Sequence, residues 1–546
     1  MGARIEVENL RIVAGDVGLV HDISFTVEPG QVLALIGESG SGKTTIALAL
    51  MGYARRGCRI ASGRVRVGEV DVLTLAESGK RALRGRKIAY IAQSAAASFN
   101  PSRRLLDQVV EPALLHGVLE RAAAERKAIA LFRELALPDA ETIGQRYPHE
   151  VSGGQLQRLM AAMALIADPD VVIFDEPTTA LDVTTQVEVL AAFRRAMRER
   201  GVSAIYVSHD LAVVAQMADS ILVLRHGRMR ECASTVQILA SPADDYTRSL
   251  LAASRIGERA PDVSAQPSAM PLLEVTALSA GYGRVRDGKC EHPVLEDVEI
   301  QLYAGQAIGV IGESGSGKST LARCIAGLIA PAAGTIRFGG HPLPATLAQR
   351  DRETLRRVQI VFQHADTALN PAHTVAKILE RPLAFFHDMD ANARRRRVAE
   401  LLDLVKLPAT LAERSCVGLS GGQKQRVNLA RALAAQPDLI LCDEVTSALD
   451  PVVAAAILDL ICELRREVKA SYLFISHDMH SVRAVCDAIV VMRYGRKLAQ
   501  IAREDYARGP HHPYYEQLAR SVPELRTGWL DEVLAARPAP TGVFVP

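Results

Sequence analysis

Paired cysteines, long apolar runs and a surplus of charge are all missing from this 546-residue sequence, and each absence excludes a class of protein. Its eight cysteines (58, 232, 290, 324, 416, 442, 462 and 486) are scattered without a C-x-x-C pair, which argues against zinc, iron–sulfur and disulfide frameworks. Cys442 sits in an apolar run and reads as a small buried hydrophobe. No uninterrupted apolar stretch approaches the ~18 residues of a membrane-spanning helix, so the chain is expected to be soluble or held at a membrane by partners. Residues 1–6 lack the apolar core of a signal peptide, and Glu6 stands where a myristoylation motif requires Ser or Thr. The expected location is therefore the cytoplasm. With 64 basic against 62 acidic residues the net charge is only +2, so nothing draws the chain globally toward nucleic acid. Aromatic content is low at 4%, whereas 49% hydrophobic and 23% charged residues describe a globular chain, too long for one core.

What the sequence does contain is a glycine-rich stretch, twice. Gly37-Glu38-Ser39-Gly40-Ser41-Gly42-Lys43-Thr44, followed by Thr45, and Gly312-Glu313-Ser314-Gly315-Ser316-Gly317-Lys318-Ser319, followed by Thr320, both fit G-x-x-x-x-G-K-[ST], the phosphate-binding loop of P-loop NTPases. Residues 32–36 before the first copy form an apolar run that predicts a buried parallel strand, and residues 46–51 after it predict a helix. Glycines let the backbone curl so that several N–H groups and the positive end of a helix dipole converge on one anion. A triphosphate suits that concavity, with Lys43 and Lys318 reaching its outer phosphates and the hydroxyls of Thr44 and Ser319 ligating Mg²⁺.

The repeat extends over both halves. Gly37 and Gly312 lie 275 residues apart, and Ser152 and Ser420, like His209 and His477, lie 268 apart. Residues 1–255 form the first expected domain, and residues 256–271, rich in Pro, Ser and Ala, an expected linker. Residues 272–505 form the second domain, with 506–546 as a C-terminal extension. Strands alternating with helices imply an α/β fold with a mostly parallel, covered sheet in each half. In the helical segments, Ile129, Phe132 and Leu135, and Val398, Leu401 and Val405, recur at helical spacing and predict core-facing sides. The basic run at residues 394–397 predicts a solvated helix face.

After each helical segment comes Val151-Ser152-Gly153-Gly154-Gln155 or Leu419-Ser420-Gly421-Gly422-Gln423, where a serine hydroxyl and glycine amides at a helix N-terminus offer a second anion site. Placed after a phosphate loop, this element resembles the L-S-G-G-Q signature of ATP-binding cassette (ABC) ATPases. Next, residues 171–174 and 439–442 are apolar runs ending in Asp175-Glu176 and Asp443-Glu444, which predicts carboxylates emerging beside the phosphate loop. The resemblance implies that Asp175 and Asp443 help hold Mg²⁺ and that Glu176 and Glu444 are general bases for the attacking water. It further implies that Gln93 and Gln363, which would sense Mg²⁺ and that water, are the Q-loop glutamines. By the same resemblance, residues 180–182 and 448–450 (Ala-Leu-Asp) match the D-loop, and His209 and His477, each within Ser-His-Asp, match the γ-phosphate-contacting histidine. The fold it implies is two tandem nucleotide-binding domains, each with a mostly parallel core sheet, an antiparallel β part and a helical subdomain. The domains of such ATPases pack head to tail, which would pair residues 37–44 with Ser420-Gly421-Gly422, and residues 312–319 with Ser152-Gly153-Gly154, in one chain. Both sites keep glutamate and histidine, so both are expected to hydrolyse ATP. The resemblance implies an aromatic under the adenine, a role that Tyr282 would serve in the second half, while aligning Leu10 with Leu278 puts Ala14 at that position in the first and predicts looser adenine contact. Val151 and Val445 depart from the family's usual leucine and proline without removing a chemical group.

Residues 99–101 (Phe-Asn-Pro) and 369–371 (Leu-Asn-Pro), residues 147–150 (Tyr-Pro-His-Glu) and His512-Pro513-Tyr514 resemble elements of the peptide and nickel importer branch; residues 244–248 keep only the end of the last one. That resemblance implies a peripheral ATPase on the cytoplasmic side of the inner membrane, docked under two integral-membrane permease subunits. An external solute-binding protein would deliver peptide, nickel chelate, opine or glutathione. An exporter ATPase would share the motor residues but not these elements. A tandem ABC protein acting on ribosomes or in DNA repair is a further alternative, but ribosome-binding members join their domains by a long, charged helical linker, whereas the one expected here is short and rich in Pro and Ala.

Overall fold

The structure, a computed structural model, describes residues 2–179, 181–255, 270–286, 288–447, 449–506 and 508–536. Most of the expected linker lies outside these residues, as do Ala180 and Ala448 of the two Ala-Leu-Asp elements. The chain divides into two compact units, residues 1–254 with 523 onward, and residues 255–522.

Val32–Ile36, Val171–Asp175 and Ser203–Val207 are buried at every position, a pattern only strands covered on both faces adopt. They form the middle of a six-stranded sheet in the order Arg228–Ser234, Ser220–Arg225, Val32–Ile36, Ser203–Val207, Val171–Asp175, Ile88–Ile91. All pairings are parallel except that of the Arg228–Ser234 edge strand. The second unit repeats this order with Arg496–Ala502, Ala488–Arg493, Ala307–Ile311, Ser471–Ile475, Leu439–Asp443 and Val358–Val361. Register sets Asp175 opposite Val207 and Ile36 opposite Val223, so the loops carrying chemistry leave the sheet at one level, outside the carboxyl ends of its strands.

A four-stranded antiparallel sheet accompanies each core sheet: Ile5–Ala14, Val17–Val27, Cys58–Val67 and Val70–Asp71 in the first unit; Leu273–Arg286, Lys289–Leu302, Ala333–Phe338 and His341–Pro342 in the second. In the first unit Ile5, Val7, Ile46, Leu50 and Ile173 share one core, which joins both sheets through the helix Lys43–Ala49. The helical subdomains comprise Leu105–Leu115, Arg121–Glu134 and Gly153–Leu165, and Val375–Phe386, Ala391–Leu404 and Gly421–Leu433. Phe132, Leu135, Val398, Leu401 and Val405 are buried as their spacing predicts. Ile129 is only partly buried, because the packed face of its helix runs through the small residues Ala124 and Ala128 to Leu131. Arg395 and Arg396 are exposed, and Arg397 pairs with Glu400 at 2.7 Å.

The expected extension, residues 506–546, is not one piece. Pro513–Arg520 belongs to the second unit, whereas the chain from residue 523 groups with the first. Trp529 and Leu530, 2% and 0% exposed, supply the apolar reason. Gln216 fixes the approach: its Nε2 donates to the carbonyls of Glu524 (3.2 Å) and Arg526 (2.6 Å), and its Oε1 accepts from the Leu530 amide at 3.1 Å. Arg194, nearly buried, pairs with Asp531.

Candidate active sites

Each phosphate loop is shaped by glycines no other residue could replace. Gly37 has φ 146°, and a Cβ there would lie 2.0 Å from the Leu224 carbonyl; at Gly312 the values are 151° and 2.1 Å, against Met492. Beneath them Ser41 and Ser316 are buried to 3% exposure, and their hydroxyls have no hydrogen-bond partner among the described residues. Orphaned donors at such depth belong where a ligand completes them. Lys43 Nζ donates to the carbonyls of Gly37 (2.6 Å) and Glu38 (2.9 Å), and Lys318 Nζ to those of Gly312 (2.8 Å) and Glu313 (2.9 Å), which spans each ammonium across its loop. Gly40 and Gly315 have open space on the Cβ side. Ser39 and Ser314 are exposed, Thr45 is partly buried and Thr320 is buried.

The strand that ends in two acids delivers them to the loop. Thr44 Oγ1 donates to Asp175 Oδ1 at 2.9 Å, and Ser319 Oγ to Asp443 Oδ1 at 2.8 Å. A hydroxyl and a carboxylate form a donor set of hard oxygens, fit for a small divalent cation. Burial pushes both Asp175 and Asp443 above the usual carboxylate range; hydrogen bonds from Tyr90 and Thr44, or from Ser319, pull the other way.

Glu176 and Glu444 occupy left-handed backbone at φ 51° and 50°, strained for a glutamate. Each is held there by its amide, which donates to Val207 O or Ile475 O at 2.9 Å. The strained turn throws the carboxylate sideways onto a histidine and a glutamine. Glu176 Oε1 lies 3.2 Å from His209 Nδ1, and its Oε2 accepts from Gln93 Nε2 at 2.9 Å and Thr179 Oγ1 at 3.3 Å. Glu444 Oε2 lies 3.4 Å from His477 Nδ1 and accepts from Gln363 Nε2 at 2.8 Å. Burial alone would raise Glu176, but the hydrogen bond and charge of His209, with Lys43, outweigh it and hold the carboxyl below 4.5. Burial would likewise lower His209, and Glu176 raises it instead; Glu444 and His477 repeat the pattern.

The signature elements sit at helix starts. Ser152 and Ser420 each cap a helix, their Oγ accepting from Gln155 N and Gln423 N at 3.3 Å. The glutamines reach back, Oε1 accepting from Ser152 N (2.9 Å) and Ser420 N (3.0 Å), which completes a capping box. The two glycines differ in purpose. Gly153 and Gly421 are exposed, whereas a Cβ on Gly154 would meet Thr185 Cγ2 at 2.1 Å and one on Gly422 would meet Val453 Cγ1 at 2.4 Å. Only the second glycine is demanded by helix packing. Asp182 and Asp450 cap the helices Val183–Arg200 and Pro451–Val468. Tyr282 is 45% exposed, and its hydroxyl accepts from Arg323 on the phosphate-loop helix at 3.4 Å, which puts its ring next to that site.

Several partners went unread in the sequence. Tyr90 OH donates to Asp175 Oδ2 at 2.6 Å, and the equivalent position in the second half is Ile360. Tyr246 and Tyr514 accept the amides of the loop residues Glu38 and Glu313; the H-P-Y spelling marked Tyr514 but not its target.

The family model described as "ABC transporter" matches residues 20–179 and 295–447. Curated relatives span nearly the whole chain. The "Glutathione import ATP-binding protein GsiA" of Pectobacterium atrosepticum is 36% identical, covering 95% of this chain and 89% of its own length, and that of Escherichia coli O6:H1 is 35% identical, covering 96% and 90%. Among solved structures, archaeal ribosome recycling factor aABCE1, in complex with ribosomal stalk protein aP1, superposes with a TM-score of 0.57 over 88% of both chains at 22% identity, which speaks to fold alone. With two complete phosphate-loop, signature and Asp-Glu constellations in one chain, this protein belongs to the ABC transporter ATPases.

Proposed function

We propose that the chain is the ATP-hydrolysing subunit of an importer for small peptides, glutathione among them, with both motor domains in one polypeptide. The observation that carries this reading is the near full-length likeness to glutathione import ATP-binding proteins, joined to two sites in which glutamate, histidine and glutamine are already assembled.

In each site Glu176 or Glu444 polarises the attacking water. His209 or His477 and Gln93 or Gln363 hold the carboxylate ionised and aimed, an arrangement that supplies about 10²–10⁴ in rate. Lys43 and Lys318 leave their carbonyl partners for the outer phosphates. Thr44 with Asp175, and Ser319 with Asp443, would hold Mg²⁺, which neutralises phosphate charge when bound. Ser152-Gly153-Gly154 and Ser420-Gly421-Gly422, whose first two residues are exposed at helix starts, would complete each site in a head-to-tail pairing of the halves.

Among the described residues no helix is long and apolar enough to cross a membrane. In this reading, which rests on the likeness to import ATP-binding proteins, the translocation path belongs to partner permeases, beneath which the chain lies peripherally. A groove of about 510 Å³ in the second unit supports that docking. Leu328, Leu347, Ile378, Phe385 and Phe386 line it, and Phe362, next to Gln363, forms part of its wall. An amphipathic permease helix seated there would press on the element that holds Glu444. Affinity purification from native membranes tests the reading: two polytopic permeases should accompany the chain, and its deletion should abolish uptake of labelled glutathione. Recovery of ribosomes instead would sink it.

A further inference from the structure

We propose that Tyr246 and Tyr514 are positioning residues of the two phosphate loops, so that the C-terminal helix of each half sets how tightly its own site holds nucleotide. This rests on the ATPase reading above.

The geometry is built twice from different spellings. Tyr246 is the second residue of the helix Asp245–Ser254 and Tyr514 the second of Pro513–Arg520. Each tyrosine is anchored by the residue two before it. Tyr246 N donates to Asp244 Oδ1 at 2.8 Å, and Tyr514 N to His512 Nδ1 at 3.2 Å. His-Pro-Tyr and Asp-Asp-Tyr are thus one device: a cap, a first helical residue and a tyrosine sent back to the loop. The phenolic oxygens accept the amides of Glu38 and Glu313, both at 3.2 Å. An arginine from the strand flooring the loop then covers each ring, Arg225 at 4.6 Å from the Tyr246 centroid and Arg493 at 4.4 Å from that of Tyr514. Tyr246 and Tyr514 are 5% and 3% exposed, so the contact is sheltered from water. Burial pushes the Tyr246 hydroxyl up to about 12, keeping it protonated.

A phosphate loop works by turning successive N–H groups toward one point. Fixing the second peptide of the loop from outside orients those that follow, and the order is in place before nucleotide arrives. Each hydroxyl acts on the loop through a backbone amide rather than on the glutamate that polarises the water, so its loss should weaken nucleotide binding and leave the chemical step intact.

The test uses the full chain carrying Glu176→Gln and Glu444→Gln, with Lys43→Ala to silence the first site, and a fluorescent N-methylanthraniloyl-ATP with Mg²⁺ as probe. Tyr514→Phe should raise its Kd roughly fivefold and speed hydrogen exchange of the Glu313 amide, with the unfolding midpoint falling by no more than a few degrees because the ring still packs. With both glutamates restored, the same change should raise KM and spare kcat. Tyr246→Phe beside Lys318→Ala should do the same at the first site. If the parent binds the probe and both Phe variants match it in Kd and KM, the positioning role is overturned. If the parent itself fails to bind, the ATPase reading falls and takes this inference with it.

Discussion

Tyr90 donates its hydroxyl to Asp175 Oδ2 at 2.6 Å while Thr44 holds the other oxygen at 2.9 Å, so the first site's aspartate is gripped on both sides. In the second half Ile360 occupies the tyrosine's place, and among the described residues Asp443 takes its side-chain hydrogen bond from Ser319. Tyr90→Phe makes the first site resemble the second. One hydrogen bond of about 1 kcal/mol corresponds to roughly a fivefold rise in the Mg²⁺ needed for half-maximal ATP hydrolysis. The rise should appear in a Glu444→Gln background, where only the first site turns over, and vanish in a Glu176→Gln background. Equal Mg²⁺ dependence in both would remove Tyr90 from the metal's surroundings.

Both glutamates sit on strained backbone with the same partners, which argues for two working sites. Glu176→Gln or Glu444→Gln alone should leave partial turnover, and the double variant should lose about 10²–10⁴ while still binding ATP. Phosphate release by the purified chain measures this. Sustained hydrolysis by the double variant would refute the assignment of bases.

What could be read from sequence was what lies close along the chain. The phosphate loops, the Ser-Gly-Gly caps and the Asp-Glu pairs are short patterns whose chemistry follows from backbone geometry, and the buried strands before them announce themselves by four or five apolar residues. Contacts closed by folding were not legible. Nothing near Glu38 in sequence points to Tyr246, 208 residues away. Nothing in the polar spelling of residues 523–528 shows that the chain there joins the first unit. Ile129 misled because spacing alone cannot tell that alanines, which permit closer approach, take the packed side.

The signature glycines separate function from packing. Gly154→Ala places a methyl 2.1 Å from Thr185 Cγ2, and overpacking of this kind costs about 1–3 kcal/mol. Thr185→Ser removes that methyl and keeps Oγ1, which donates to Asp182 at 3.0 Å. The pair Gly154→Ala with Thr185→Ser should therefore recover most of the lost unfolding temperature. Gly153→Ala meets only Leu181 Cδ2 at 3.8 Å and should leave stability nearly unchanged while lowering ATP turnover. Equal destabilisation by both alanines would contradict this division.

The His209–Glu176 pair gives stability a defined pH window. His209 is raised above 6.5, so its share is complete below 6.5 and lost as pH rises through its folded value; Glu176 is lowered beneath 4.5, so its share is present above 4.5 and lost as pH falls through its folded value. Asp210 reinforces the charged imidazole and Lys43 opposes it. With nucleotide and metal chelated away, the stability advantage over His209→Gln should hold steady between pH 4.5 and 6.5 and shrink as the solution becomes more alkaline. An advantage that grows with rising pH would mean that the histidine is neutral when it meets the glutamate.

The segment after residue 523 tests whether the end of the chain is structural for the first half. Trp529, 2% exposed, is packed there with the backbone around it held by Gln216, so Trp529→Ala should cost about 3–5 kcal/mol. Gln216→Leu strands the buried Leu530 amide and two part-buried carbonyls, so its cost should be of the same order. Asp531→Asn leaves the nearly buried Arg194 without its counter-charge, but Asp531 itself is largely exposed, and the loss should be the smallest of the three. Thermal unfolding followed by a probe in residues 1–254 distinguishes this from a loose tail: if all three variants melt with the parent, the segment adds nothing to the unit it rests on, and removing residues 523–546 should be equally silent.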